Sequence, residues 1–153
     1  MRLSRGRTLA ALLAVLALTR LGADAAATAP RRALPNPVLV LTGTEAYQAG
    51  GKNYIRYKYI VFNSSDYPDS MFAAAPKLPP CGKNTNSSRT WVDIYDQQGK
   101  RIYGFCALGK SADLNDLWFG LEEGVLPPSW VYIELNDRQT NTKYKSNLAE
   151  TSL

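Results

Sequence analysis

The chain of 153 residues has no histidine and only two cysteines. Without histidine it lacks the commonest metal ligand and general base. Without a Cys-x-x-Cys pair, or any base to activate a thiol, it lacks the usual means of redox or nucleophilic sulfur chemistry. Internal repeats are missing too, as are stretches with apolar residues at helical spacing. Gly50-Gly51-Lys52 follows no strand-to-helix pattern, so a phosphate loop is excluded. Asp113 with Asp116, and Glu122 with Glu123, lack the alternating oxygen-ligand spacing of a calcium loop and read as solvated loop charge. No cofactor or metal site is expected.

One long apolar run is present, at the start. Residues 1–25 combine Arg2, Arg5 and Arg7, the block LAALLAVLAL (9–18) and a small-residue Ala23-Asp24-Ala25 end. That pattern is a secretory signal peptide. A membrane anchor is the competing reading, but the block stops at Thr19-Arg20, short of the roughly 20 apolar residues that a span needs. The mature chain is expected to be exported, periplasmic or extracellular, with no membrane span. Removing the leader leaves 14 basic residues against 12 acidic ones, a balance of +2 in place of the +5 of the whole chain. The remaining cations are scattered among carboxylates, which argues against nucleic acid as a partner.

Residues 26–37, AATAPRRALPNP, hold three prolines and no periodic pattern and read as a flexible lead-in. Residues 38–153 are one domain's worth of chain. They alternate strand-rich runs (37–47, 53–63, 90–95, 101–108, 129–135 and 143–150) with Gly-, Pro- and Asn-rich turns. Segment 111–121 is ambiguous between a helical turn, capped at Ser111 or Asp113, and a strand over 117–121. The expected class is all-β, an antiparallel two-sheet β-sandwich of six to seven strands. The segment SWVYIELNDRQTNTKYKSNLAE (129–150) resembles the last hairpin of a fibronectin type III or immunoglobulin-like domain. That resemblance implies a binding or scaffolding habit rather than catalysis. Residues 54–148, through NSSDYPDSMF, RIYGFCAL and KYKSN, are also similar to exported proteins without an assigned activity, a likeness that implies none here.

Cys81 and Cys106, in an exported chain, read as a structural disulfide across a loop of about 25 residues, worth roughly 3 kcal/mol. A free buried pair is the alternative. The bridge would pin the proline-rich loop APKLPPCGKNTNSS (75–88), which otherwise has little to hold it.

In RTWVDIYDQQGKRIYGFCAL (89–108), Gly99 suits the left-handed position of a three-residue Gln97-Gln98-Gly99 turn. Counting outward from it pairs Tyr95 with Arg101, Ile94 with Ile102, Asp93 with Tyr103, Val92 with Gly104 and Trp91 with Phe105. Val92, Ile94, Ile102, Cys106 and Leu108 then face the core, and Trp91, Asp93, Tyr95, Arg101, Tyr103 and Phe105 face outward. Val131, Ile133 and Leu135 likewise oppose Trp130, Tyr132 and Glu134. Trp91, Tyr95, Tyr103, Phe105, Trp130 and Tyr132 thus form a candidate binding face for a protein or glycan partner. The competing reading is that loops such as FAAAPKLPP lie over these rings and bury them.

The expected function is a non-catalytic binding or interaction module. One alternative is an inhibitor presenting the 75–88 loop. Another is a small carbohydrate-active enzyme working from Asp93 and Glu134, which would require the two carboxylates within roughly 10 Å. Asn63-Ser64-Ser65 and Asn86-Ser87-Ser88 match the N-glycosylation pattern.

Overall fold

A computed structural model describes residues 33–78 and 87–152. The unit from Ala33 onward is an all-β sandwich of eight strands in two antiparallel sheets. Strands β1 (Leu39–Ala49), β2 (Lys52–Val61) and β5 (Leu117–Glu122) form one sheet in the order β1-β2-β5. Strands β3 (Thr90–Asp96), β4 (Arg101–Phe105), β6 (Trp130–Asp137) and β7 (Thr142–Lys145) form the other in the order β4-β3-β6-β7, with the short β8 (Ala149–Glu150) also paired to β6. Residues 1–25, read above as a signal peptide, and Cys81 lie outside the described residues.

Period-two patterning decides which side chains meet between the sheets. From the first sheet Leu39, Tyr57, Tyr59, Val61, Leu117 and Phe119 are buried, and from the second Val92, Ile94, Val131, Ile133 and Leu135. The first set is aromatic at its centre: Tyr57 and Tyr59 stack on Phe119 with centroids 5.0 and 6.0 Å away. The second is aliphatic, so flat rings from one side meet branched chains from the other. Burial raises the Tyr59 hydroxyl well above its ordinary value.

Three turns carry much of the local logic. Gly50 and Gly51, with φ of +57° and +77°, make the two-residue connection between β1 and β2, the conformation that a primed hairpin turn requires. Gly99, at φ +83°, closes the β3–β4 turn as expected, and the Asp96 side chain accepts from the Gln98 and Lys100 amides. The ambiguous segment 111–121 proves to be both of its readings in succession. A 3-10 turn over Ser111–Asn115 is held by Asp113, which accepts from the Gly109 and Lys110 amides, and it buries Leu114 before β5 begins.

The β3–β4 register departs from the expected one beyond the first pair. Tyr95 faces Arg101, but a bulge then intervenes and Ile94 faces Tyr103, Asp93 faces Gly104 and Val92 faces Phe105. The inserted residue is Ile102, which packs against the core from the bulge. Each later residue of β4 is therefore moved to the opposite face. Tyr103 and Phe105 share the side of Ile94 and Val92, not that of Trp91 and Asp93.

The end of the lead-in is held rather than loose. Leu34 packs on the core, the Tyr67 hydroxyl donates to the Pro35 carbonyl (2.7 Å), and the Asn63 amide donates to the Asn36 carbonyl. The stem of the 75–88 loop is also tied independently of any disulfide. Ala74 bridges Ser88, Ala75 N–H donates to the Ser87 carbonyl, and Arg89 N–H donates to the Ala73 carbonyl. At the free edge of β1, the Asn147 side chain acts as a substitute strand. Its oxygen accepts from Leu39 N–H (2.8 Å) and its amide donates to the Leu39 carbonyl (3.1 Å).

Candidate functional site

The outer face of the five-stranded sheet gathers four of the six expected aromatic residues. Trp91 and Tyr95 on β3 lie opposite Asn136 and Tyr132 on β6, and Trp130 stands at the start of β6. Tyr95 and Tyr132 stack with centroids 5.2 Å apart and planes 15° from parallel. Trp130 is 39% exposed, whereas Tyr132 is only 8% exposed. Among the described residues, two cations lie over these rings. Lys145 Nζ sits 3.9 Å from the Tyr132 ring centre, and the Arg138 guanidinium lies 3.8 Å from that of Trp91.

Between the rings runs a charged row. Asp93 and Glu134 are directly opposite each other on β3 and β6, which places their Cβ atoms about 4.5–5.5 Å apart. Arg101 donates to Asp93 (2.6 Å) and Lys143 to Glu134 (3.1 Å). The Arg101–Asp93 pair lies across Gly104, where a Cβ would fall 2.0 Å from the guanidinium and 2.6 Å from the carboxylate. Glycine at that position lets the ion pair lie flat on the sheet. The Glu134 carboxylate raises the pKa of Lys143, keeping that amine charged. The two carboxylates are therefore neighbours, as an enzyme reading requires, and each is neutralised by its own cation.

At the rim of this face, Arg89 makes a two-pronged ion pair with Asp137, whose side chain is 3% exposed. Burial pushes the Asp137 carboxyl up, but hydrogen bonds from Arg89, Thr140 and the Gln139 amide outweigh it and hold the carboxyl below its ordinary value. The same carboxylate organises the β6–β7 turn that carries Arg138.

Tyr103 and Phe105 belong to a second arrangement, on the outer face of the three-stranded sheet and the edge beside it. Tyr103 stacks on Trp118 of β5 at 5.3 Å, and Phe105 meets Trp118 edge-on at 6.3 Å. Arg56 of β2 lies between Trp118 and Tyr47, 4.4 and 4.7 Å from their ring centres, and Tyr47 stacks on Tyr54 at 5.3 Å. Gly120, opposite Arg56 on β5, leaves space for the Tyr47 hydroxyl, which a Cβ there would approach to 2.4 Å. Sequence reasoning missed Tyr47, Arg56 and Trp118 as a group because they come from three strands. The available signal was the alternation of Tyr54, Arg56 and Lys58 on one face of β2.

Among the described residues, no three of His, Cys, Asp and Glu converge as metal ligands, and no helix is long and apolar enough to cross a membrane. Asn63 uses its amide fully: its oxygen accepts from Val38 N–H, and its nitrogen donates to the Asn36 carbonyl and to Asp66. Asn86, the other glycosylation candidate, lies outside the described residues. No family model, curated protein or solved structure matches this chain.

Proposed function

We propose that the mature chain is an exported, non-catalytic binding module whose ligand, a protein or a glycan, lies on the outer face of the five-stranded sheet over Trp91, Tyr95, Trp130 and Tyr132. The observation that carries this reading is the Tyr95–Tyr132 stack beside the exposed Trp130, roofed by Lys145. A lysine over a ring is a movable cover, because its stem can swing aside for little free energy and release a ring face to a ligand. The fibronectin type III resemblance supports the reading. The order β1-β2-β5 with β4-β3-β6-β7 differs from an immunoglobulin constant arrangement in that the fourth strand pairs with the third and in the additional short β8 beside β6.

A Cys81–Cys106 bridge is part of this proposal. Its support is that the sequence holds two cysteines and that no thiol is free among the described residues. Export rests on the residue 1–25 pattern alone.

The direct test is retention of the purified mature domain on insoluble envelope polysaccharides and on immobilised exported proteins. Trp130→Ala and Tyr95→Ala should each abolish retention while leaving the circular dichroism spectrum unchanged. Retention that is indifferent to both substitutions would overturn the assignment of the face. The rival enzyme reading has one observation in its favour, the side-by-side Asp93 and Glu134. Release of reducing sugar that is lost in Glu134→Gln would establish it in place of the binding module.

A further inference from the structure

The outer face of the three-stranded sheet does something different with its rings. From Tyr54 through Tyr47, Arg56 and Trp118 to Tyr103 the groups are stacked, so that both faces of Tyr47 and Trp118 are turned toward a neighbour. A row stacked face to face presents its edges outward, and ring edges carry the positive end of the aromatic quadrupole. The guanidinium in the middle of the row likewise offers its N–H edge. Along its middle, such a strip suits anions better than it suits a sugar stacked on a ring face.

The donors of Arg56 are poorly used. Its Nε is buried without a hydrogen-bond partner among the described residues, and its Nη1 lies 3.8 Å from the Glu45 carboxylate. Lys58, the next outward residue on β2, also reaches Glu45 at 3.7 Å. Both separations exceed the 2.7–2.9 Å or so of a formed charge-assisted hydrogen bond. The Glu45 carboxylate, 51% exposed, hovers between two cations without binding either closely. Beyond Lys58 the face turns apolar. Ile60 lies opposite Val40, and Phe62, whose amide bonds to Val38, is 76% exposed; Val38 and Val40 are 43% and 39% exposed.

We propose that this face docks an extended acidic peptide segment of a partner protein, with carboxylates taken by Arg56 and Lys58 in place of Glu45 and an apolar side chain set against Phe62 and Val40. Alternate residues of an extended strand lie about 7 Å apart on one face, so Arg56, Lys58, Ile60 and Phe62 repeat at the spacing of alternate residues in the peptide. Charge complementarity and strand register thus select the same occupant. The inference concerns the opposite side of the sandwich from Trp130 and stands or falls separately from the proposal above.

The test uses the mature domain and the synthetic peptide acetyl-Glu-Thr-Glu-Thr-Leu-Thr-Leu-amide, followed by Trp118 fluorescence and by the Arg56 side-chain N–H signal in NMR. Saturable binding should appear, about tenfold weaker when both glutamates of the peptide are replaced by glutamine, the equivalent of about 1.4 kcal/mol. Glu45→Gln should tighten it about threefold by removing the internal competitor, and Arg56→Lys should weaken it about tenfold although the charge remains. Phe62→Ser should weaken it, and Trp130→Ala should leave it unchanged. The proposal is overturned if the glutamine peptide binds as well or if Glu45→Gln fails to tighten binding. It is equally overturned if sodium acetate or polygalacturonate competes as strongly at equal carboxylate concentration.

Discussion

The two outer faces both combine rings with cations, but in opposite arrangements. On the five-stranded sheet, Arg138 and Lys145 lie over Trp91 and Tyr132 as lids. On the three-stranded sheet, Arg56 is one layer of the stack, with a ring on either side. A lid can be lifted without disturbing what it covers. A layer cannot be removed without collapsing the row. Position, more than residue type, separates a surface that can open from one that is fixed.

The largest difference should come from the support beneath a lid. Asp137→Ala leaves Arg89 without its partner and unties the turn that carries Arg138, and should cost about 3 kcal/mol in urea unfolding. The same group sets a pH dependence. Because its pKa is depressed in the folded protein, its contribution is complete above the unfolded carboxylate value near 3.9 and is lost as pH falls through the folded value. Asp137→Asn should therefore flatten that part of the acid-unfolding curve, and an unchanged curve would remove Asp137 from the account.

Removing the layer comes next. Arg56→Ala deletes two cation–ring contacts and leaves a slot between Tyr47 and Trp118, at a cost of about 2 kcal/mol, with a shift in the near-ultraviolet circular dichroism of the tryptophans. Gly120→Ala should cost about 1 kcal/mol by pushing the Tyr47 ring out of the row, and the same spectrum would follow it. Removing the lid itself is the smallest effect. Lys145→Ala should change stability by about 0.5 kcal/mol or less while raising the accessibility of Tyr132 to iodination. Equal costs for Arg56→Ala and Lys145→Ala would erase the distinction between the faces.

The legible parts of the fold were those governed by local period and turn chemistry. Val131, Ile133 and Leu135 alternate cleanly against Trp130, Tyr132 and Glu134, and all three are fully buried. The Gly99 turn and its Asp96 cap were readable because a left-handed glycine and an acceptor side chain sit at fixed offsets. The bulge at Ile102 was not, since nothing in RIYGF marks where a residue drops out of the ladder. The bulge lets Tyr103 and Phe105 meet Trp118, fifteen residues after Tyr103 and on another sheet. The candidate site was legible in proportion. Trp91, Tyr95, Trp130 and Tyr132 share a face because two strands each kept their period, while the Arg56 row depends on pairings that span three strands.

The amide of Asn147 has a consequence for how the protein ages. Its –NH2 group is the donor that faces the Leu39 carbonyl, and its oxygen is the acceptor for the Leu39 N–H. Hydrolysis of that one amide to a carboxylate, the ordinary chemical fate of asparagine in long-lived proteins, would set negative charge against a carbonyl oxygen and detach the substitute strand. The outer rim of β1 would then be open to pairing with another molecule, beginning at the end where Val38, Val40 and Phe62 are already bare. Stored samples should therefore accumulate dimers and larger species in step with a one-dalton mass gain at residue 147, and an Asn147→Asp variant should show them from the start.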